Sequence, residues 1–336
     1  MEIGFRFLRP DEGTVLKEAI RVVYGESYDV RWVYDEVEVS SRLETGTYIA
    51  CVAESPEGEL LCHVGLSLTA AGDAVGHAGQ AVTMPIARGQ HIFTRTKSFL
   101  MDWAREKGMA GMFSEATAAH PYSQRACVDL GAHETGFLLG WIPASVSNDA
   151  ADAGRRRRQS AALFYTKLND GMERQVYAPE RHHEVVARTL DLCELRGTLA
   201  EPPAGAPLAE RTELHVELDA DHNLALLTVH TPGEDLEAVV AAERHHLFHR
   251  AGVDAVYLDL PLEVPGTALV AEHLEALGVS YAGVFPNRHT DGDVLRMQSL
   301  HCVNVSADDI AVVSDHGQEL LDYVLGDLPE QVRSPA

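Results

Sequence analysis

Long apolar runs are absent from this sequence. No apolar stretch in its 336 residues reaches about 18 positions, the shortest length expected of a membrane-spanning helix. The first residues, MEIGFRFLRPDEG, alternate as a strand does and contain neither the basic nor the apolar region of a secretory signal peptide. The sequence therefore predicts no membrane partner and a cytoplasmic location.

Cysteine is scarce, and its spacing argues against both disulfides and metal sites. The cysteines are odd in number and form no Cys-x-x-Cys pair: Cys51, Cys62, Cys127, Cys193 and Cys302. Such spacing without a signal peptide is typical of reduced thiols. His245 and His249 lie four residues apart on a predicted helix, but no glutamate of a His-Glu-x-x-His motif accompanies them. We therefore expect no metal.

Basic residues are also few: 27 Lys and Arg stand against 51 Asp and Glu, which gives a net charge of −24. Nucleic-acid binding depends on lysine and arginine that neutralise phosphates, so we expect no nucleic-acid partner. The one basic run, residues 155–158, is interpreted as a solvated linker, with an anion contact as the alternative. The chain does have 46% hydrophobic residues, as globular domains do, and a length that suits two domains.

The first 145 residues alternate strands with helices. Strands are predicted at 3–8, 47–55, 60–68, 78–85, 109–117 and 135–143, and helices at 11–23, 94–108 and 121–131. Residues 25–46 and 69–78 are predicted to be loops. This order indicates an α/β (α+β) fold in which a mostly antiparallel mixed sheet is flanked by helices.

A linker is predicted at 146–160, and a second unit of similar design at 161–305. Its strands are predicted at 160–168, 213–230, 253–262, 279–286 and 293–301, and its helices at 234–250 and 266–277. Both units place a Leu-Gly turn, Leu130-Gly131 and Leu277-Gly278, before a strand that contains glycine and proline. The pattern suggests an internal repeat of two similar domains, followed by a C-terminal helical segment at 306–336.

The stretch VTMPIARGQHIF, residues 82–93, carries the clearest chemical signal. A strand runs into a glycine-containing turn that opens a helix, where free backbone N–H groups and the helix dipole favour a phosphate or pyrophosphate. Gly89 permits close backbone approach, and Arg88 adds positive charge. The alternative is an ordinary strand-to-helix turn.

This stretch resembles the GNAT acyltransferases, whose loop reads P-x-x-R-G-x-G-I after a strand. Here residues 85–92 read P-x-x-R-G-x-x-I, and a helix, a strand and a short helix that ends in a glycine turn follow. Residues 1–145 cover the catalytic domain of that family, and the repeat in the second unit resembles a subgroup with a degenerate GNAT-like second domain. The resemblance implies acetyl-CoA or another acyl-CoA as co-substrate.

The resemblance also implies where acyl-CoA binds. Its pyrophosphate would lie on the N–H groups of Arg88, Gly89, Gln90, His91, Ile92 and Phe93. Its pantetheine arm would pair with the strand at Val82, Thr83 and Met84. His91 stands at the second glycine of the family loop, and an imidazole there could itself reach a phosphate.

The family's short-helix pattern, aligned on Gly131, places Ser123 at its alanine and Cys127 at a tyrosine that commonly protonates the leaving thiolate. We count Ser123 among the cofactor-binding candidates. Cys127 is a candidate acid, because a neutral thiol can donate a proton, with plain packing as the alternative. His120, at the pattern's asparagine, is a candidate for proton transfer, with a helix cap or satisfied loop histidine as the alternative.

Two further residues complete the catalytic candidates. Glu115 near the end of a strand could act as the base that deprotonates the amine, directly or through water; the alternative is a surface charge. Tyr122 could donate to the sulfur or the oxyanion; the alternative is the edge of the core. The second unit has HTPGEDL at the matching turn, where Glu234 and Asp235 would repel a pyrophosphate.

These observations predict an N-acyltransferase that moves an acetyl or other acyl group from acyl-CoA to a small-molecule amine by direct attack in a ternary complex. The acidic composition favours a cationic acceptor such as a polyamine or amino sugar. The alternatives are a non-catalytic acyl-CoA-binding regulatory module and a scaffold that binds no CoA. The second unit could shape the acceptor site or form a homodimer.

Overall fold

The computed structural model describes residues 3–146, 157–289, 292–329 and 332. Most of the predicted linker, residues 147–156 with Arg155 and Arg156, lies outside the described residues. The first half contains β1 (Gly4–Phe7), α1 (Gly13–Tyr24), α2 (Glu36–Thr45), β2 (Tyr48–Glu54), β3 (Leu60–Ser67), β4 (Val75–Thr83), α3 (Ile92–Glu106), β5 (Gly111–Thr117), α4 (Tyr122–Asp129), β6 (His133–Ile142) and β7 (Gln159–Lys167).

The second half repeats strands and helices in a similar order. It contains β8 (Arg174–Val176), α5 (His183–Leu192), β9 (Gly197–Leu199), β10 (Glu213–Asp219), β11 (Leu224–Thr231), α6 (Leu236–His246), β12 (Ala255–Pro261), α7 (Pro265–Val270), β13 (Ser280–His289), β14 (Gly292–Leu300) and α8 (Asp315–Asp327). Within the described residues no helix is both long and apolar enough to cross a membrane.

Helix α2 occupies part of the predicted loop 25–46, so that prediction is wrong for residues 36–45. The side chain of Asp35 accepts hydrogen bonds from the amides of Val37 and Glu38, and Gly46 ends the helix in the left-handed conformation at φ 72°. Only Val39 of this helix is buried, which explains why its sequence lacks a strong apolar face. Strand β4 likewise begins at Val75, inside the predicted loop 69–78.

The second half also departs from its predicted helices. The predicted helix at 234–250 begins at Leu236 and ends in a π-helical turn, Leu247–Ala251. The predicted helix at 266–277 is α only as far as Val270 and continues as a 3-10 helix, Ala271–Leu277. Helix α8 is the described part of the predicted C-terminal helical segment, and α5 was not predicted.

One sheet of twelve strands runs through both halves, in the order β1-β2-β3-β4-β5-β7-β6-β13-β14-β12-β11-β10. Strand β7 lies between β5 and β6 and pairs with both in antiparallel fashion. The sequence placed this strand at the start of the second unit. By its pairing it belongs to the first half, because both of its neighbours, β5 and β6, are strands of that half.

The two halves share one topology. In the first, β4 runs parallel to β5, and β7 pairs with β5 and β6; in the second, β11 runs parallel to β12, and β14 pairs with β12 and β13. The halves join where β6 pairs with β13 at Gly136 and Gly283. A Cβ atom on Gly136 would lie 2.3 Å from the carbonyl oxygen of Ala282, so this junction admits only glycine.

Polar side chains also join the halves. The side chain of Arg158 is only 9% exposed, and its guanidinium donates to the carbonyl oxygens of Gly140 and His222 and pairs with Asp254 at 3.1 Å. The prediction of a solvated basic run is therefore wrong for Arg158. His222 bonds Asp219 in its own half and Asp29 in the first half, at 3.0 Å. Burial opposes its charge, but these two carboxylates raise the pKa of His222 to about 10.

Candidate active site

The turn predicted to hold a phosphate has the backbone geometry of an anion site. After β4, Pro85–Ala87 form one 3-10 turn, and Gly89 and His91 adopt positive φ of 73° and 55° before α3 begins. No atom lies within 4 Å of the position that a Gly89 Cβ would take. The first amides of a helix have no partner within it, so those of Ile92 and Phe93 can meet an anion.

A wedge opens in the sheet directly before this turn. Strands β4 and β5 pair only from Val75 to His77, opposite Gly111 to Phe113, and then diverge. Beyond His77 no strand among the described residues covers the edge of β4 that faces β5. That edge, which includes the predicted pantetheine partners Val82 and Thr83, can therefore pair with an extended ligand.

A bulge in β4 shapes the wall of the wedge. Gln80 has φ 47°, and the register with β3 shifts by one residue there. His63 fixes the bulge, since its Nδ1 donates to the carbonyl oxygen of Gln80 at 2.8 Å. Burial lowers the pKa of His63 to about 4, so this imidazole stays neutral at pH 7.

His77 and Glu115 lie together at the apex of the wedge, on one face of the sheet. Their Nε2 and Oε2 atoms are 3.7 Å apart, and the imidazole stacks on Phe113 with ring centroids 5.0 Å apart. Gly79 leaves room for this ring, because a Cβ there would lie 2.7 Å from the imidazole. Burial lowers the pKa of His77, and Glu115 only partly opposes it. A neutral imidazole beside a carboxylate can accept a proton.

A cavity of about 260 Å³ opens on this face, and both halves line it. The first half contributes His77, Phe113, Glu115 and Trp141, together with the end of β3; the second half contributes Leu226, Phe285, Arg288 and Arg296. Arg296 is buried and forms two hydrogen bonds to Asp259, of 2.6 and 2.7 Å. The guanidinium of Arg288 lies 5.1 Å from the centre of the Phe113 ring.

The opposite face of the wedge holds Cys127. Neighbouring residues of a strand point to opposite faces, so Ser114 points away from the cavity that Glu115 lines. The buried ammonium of Lys97 donates to Ser114 Oγ at 3.1 Å and to Cys127 Sγ at 3.2 Å. The structure thus divides the predicted catalytic residues between two faces of the sheet.

The remaining candidates lie at the start of α4. Tyr122 is 73% exposed, and its ring centroid is 5.1 Å from that of His120. Ser123 is half-buried, and its hydroxyl oxygen, fully enclosed, has no hydrogen-bond partner among the described residues. Gln90 bonds the carbonyl oxygen of Ile86 within the turn, and Met84 is buried.

The matching turn of the second half is filled by the chain itself. The amide of Gly233 donates to Thr212 Oγ1, and the amide of Glu234 donates to the carbonyl oxygen of Ala209. The carboxylate of Asp235 accepts from the Thr212 amide at 2.6 Å. Strands β11 and β12 pair over five residue pairs, Leu224 to Thr228 with Ala255 to Asp259. The corresponding strands of the first half, β4 and β5, separate after three pairs.

Of the ionisable residues that line the cavity, the sequence analysis missed three: His77, Arg288 and Arg296. His77 fell in a predicted loop, although the alternation in VGHAGQAV could have extended the strand to it. The two arginines reach the cavity only through the join of the halves. Among the described residues, no group of three or more His, Cys, Asp or Glu side chains could hold a metal ion.

No family model matches the chain, and no curated protein is significantly similar to it. Solved structures do resemble it. The ribosomal-protein-S18-alanine N-acetyltransferase of Escherichia coli is 12% identical, with a TM-score of 0.40, over 51% of this chain and 97% of that one. A GNAT-superfamily phosphinothricin acetyltransferase of Sinorhizobium meliloti, solved with acetyl-CoA, is 20% identical, with a TM-score of 0.41, over 51% and 91%. A spermidine/spermine N-acetyltransferase of Vibrio cholerae is 12% identical, with a TM-score of 0.40, over 50% of this chain and 93% of that one.

These solved structures, which include a GNAT-superfamily acetyltransferase, cover about half of the chain and do not address the rest. The predicted α/β fold class is confirmed by the chain's own structure, since a large, mostly antiparallel mixed sheet is flanked by helices.

Proposed function

We propose that the protein transfers an acyl group, acetyl in the simplest case, from acyl-CoA to the amine of a small molecule. The observation that carries the proposal is the wedge between β4 and β5, with an anion-binding turn at the end of β4 and the His77–Glu115 pair at its apex. The thioester of acyl-CoA would lie in the wedge, and the acceptor amine would approach it from the cavity on one face of the sheet.

The first half supplies the acyl-CoA site in this proposal. The amides that follow Gly89 bind the pyrophosphate, with Arg88 as an exposed cation beside them. The open edge of β4 at Val82 and Thr83 pairs with the pantetheine amides. Gly89 and His91 both have positive φ, which turns successive N–H groups towards one point.

The reaction needs one proton removed and one supplied. The amine nitrogen attacks the thioester carbonyl carbon, a C–N bond forms, and the C–S bond breaks. His77, oriented by Glu115, takes the proton that the amine loses, and the CoA thiolate takes up a proton to leave as a thiol. Amide groups at the β4 bulge beside Gln80 are the donors for the oxyanion.

The Lys97–Cys127 pair is the proposed proton source for the leaving thiolate. It lies on the face opposite the cavity, where the sulfur of the bound donor would lie. Tyr122 is the alternative donor. Because its side chain is 73% exposed, this role requires that the bound acyl-CoA cover the start of α4. The burial of Cys127 at the family's tyrosine position is also what favours the second candidate function, an acyl-CoA-binding regulatory module without turnover.

The second half has a different role in this proposal. Its turn is filled by Ala209 and Thr212, so it binds no pyrophosphate, and it serves as one wall of the acceptor cavity through Phe285 and Arg288. The boundary between the halves then follows β7, near residue 168. A cytoplasmic location and a homodimer stay predictions.

The first experiment is calorimetric titration with acetyl-CoA and CoA of the wild type and a Gly89→Asp variant. The added carboxylate repels the pyrophosphate, so we expect binding to be lost. Gly205→Asp is the matched control, because Gly205 has the same φ of 73° and equally open space. Binding should survive in the control.

Release of CoA thiol in the presence of an amine then separates the two functions. Release of CoA thiol with an amine supports the transferase. Binding of acetyl-CoA with no thiol release for any primary amine tested supports the regulatory module. Absence of acetyl-CoA binding by the wild type, or equal binding by the Gly89→Asp variant, would overturn the acyl-CoA site.

A further inference from the structure

The acceptor cavity contains two cations, Arg288 and Arg296. Arg288 on β13 lines the cavity, and within the described residues its guanidinium forms no hydrogen bond or ion pair. The other cavity arginine, Arg296, pairs with Asp259 through two hydrogen bonds. The two arginines are therefore not equivalent, since Arg296 already forms an ion pair with a carboxylate and Arg288 does not.

The surroundings of Arg288 favour an anion. Burial lowers its pKa and Arg296 acts in the same direction, while the carboxylates of Asp259, Glu115 and Glu217 partly oppose them. A partly buried cation of this kind is stabilised when an anion takes the place of lost water. A guanidinium presents parallel N–H donors that match the two oxygens of a carboxylate. Its face is held against Phe113, so the edge of the guanidinium is free to meet a ligand.

The same cavity also suits an amine. Glu115 provides the negative charge there, and the neutral His77 provides the proton acceptor. The remaining lining includes the apolar side chains of Phe113, Phe285 and Leu226. The cavity thus offers an anion position, an amine position and apolar walls for a side chain within about 260 Å³.

We propose that the acceptor is an amine that also carries a carboxylate, with the chemistry of an apolar α-amino acid. Arg288 binds the carboxylate, and the amine lies at His77 and Glu115. This inference rests on the proposed acyl transfer. It replaces the polyamine or amino sugar that the acidic composition favoured, because net charge does not report the potential inside one cavity.

The test compares amino acids with the amines that lack only the carboxylate. L-Leucine is paired with 3-methylbutylamine, and L-phenylalanine with 2-phenylethylamine, by calorimetry on the full chain with and without CoA. We expect at least one amino acid to bind about tenfold to a hundredfold more tightly than its amine, the contribution of a charge-assisted hydrogen-bonded pair. Equal or tighter binding of the amines, or no binding of any amino acid up to roughly 10 mM, overturns the inference.

Arg288→Gln should abolish the preference for the amino acid while the amine binds as before. Arg250→Gln, at an exposed arginine of the second half, is the control and should keep the preference. A preference that survives Arg288→Gln also overturns the inference.

Acetyl-CoA titration of the same proteins separates this inference from the proposed function. Preserved acetyl-CoA binding without an amino-acid preference means that only the inference fails. An Arg288-dependent preference without acetyl-CoA binding means that acyl transfer fails while the carboxylate site stands.

Discussion

Among single residues, His77 has the environment of a general base. It is held neutral by burial, stacks on Phe113 and lies beside Glu115. In the wild type, activity should fall only at a pH below the usual histidine range, because burial lowers the pKa of His77 and only the neutral imidazole accepts a proton. His77→Gln should lower kcat by about a hundredfold or more and remove that acidic limb, with acetyl-CoA affinity unchanged.

The matched control for this prediction is His230→Gln, since His230 is exposed on β11. It should leave both kcat and the pH profile of the transferase as they are. An acidic limb that persists in His77→Gln would assign the base to another group, Glu115 first. The pH–rate profiles of the three proteins, measured as CoA thiol release, decide the matter.

Among the elements, the β4 bulge depends on a buried histidine that titrates far below its usual range. Burial lowers the pKa of His63 to about 4, and burial also lowers that of His182 to about 3. The unfolded chain binds protons at these positions from about pH 6.5 downward, before the folded one does. The stability that the two neutral imidazoles contribute is therefore present above pH 6.5 and is lost on acidification.

We expect the free energy of unfolding to decrease between pH 6.5 and 4, with His63 contributing about 1.4 kcal/mol per pH unit where only the unfolded chain is protonated. His63→Gln should flatten this dependence, and denaturant unfolding across the pH range measures it. His230→Gln should not change the slope. A slope unaltered by His63→Gln would mean that the imidazole is not held neutral beside Gln80.

Local patterns predicted most strands and the anion-binding turn, because alternation and a glycine before a helix are properties of neighbouring residues. They did not predict the insertion of β7, which depends on its pairing with β5, more than forty residues away in sequence, as in the pair of Glu115 with Leu163. Helix α2 was missed because it buries a single valine, Val39. His77 was missed with the start of its strand, and so the candidate base was not recognised.

For the molecule as a whole, the cavity that we propose as the acceptor site is lined by both halves, which share one sheet. Gly136 and Gly283 pair at the join, Arg158 connects Gly140 with Asp254, and His222 reaches Asp29. The proposed acyl-CoA site, by contrast, uses residues of the first half alone. A change at the join should therefore affect the acceptor and leave the binding of acetyl-CoA intact.

Gly283→Ala tests this separation. The new Cβ would lie 2.6 Å from Gly136 Cα and from the carbonyl oxygen of Thr135, so β13 must shift, at a cost of about 1–3 kcal/mol in stability. We expect KM for the acceptor to rise severalfold while the Kd of acetyl-CoA is unchanged. Gly4→Ala is the control, since no atom lies within 4 Å of a Cβ at Gly4 in β1. Equal losses in acceptor and acetyl-CoA binding would show that the first half does not hold its CoA site independently of the join.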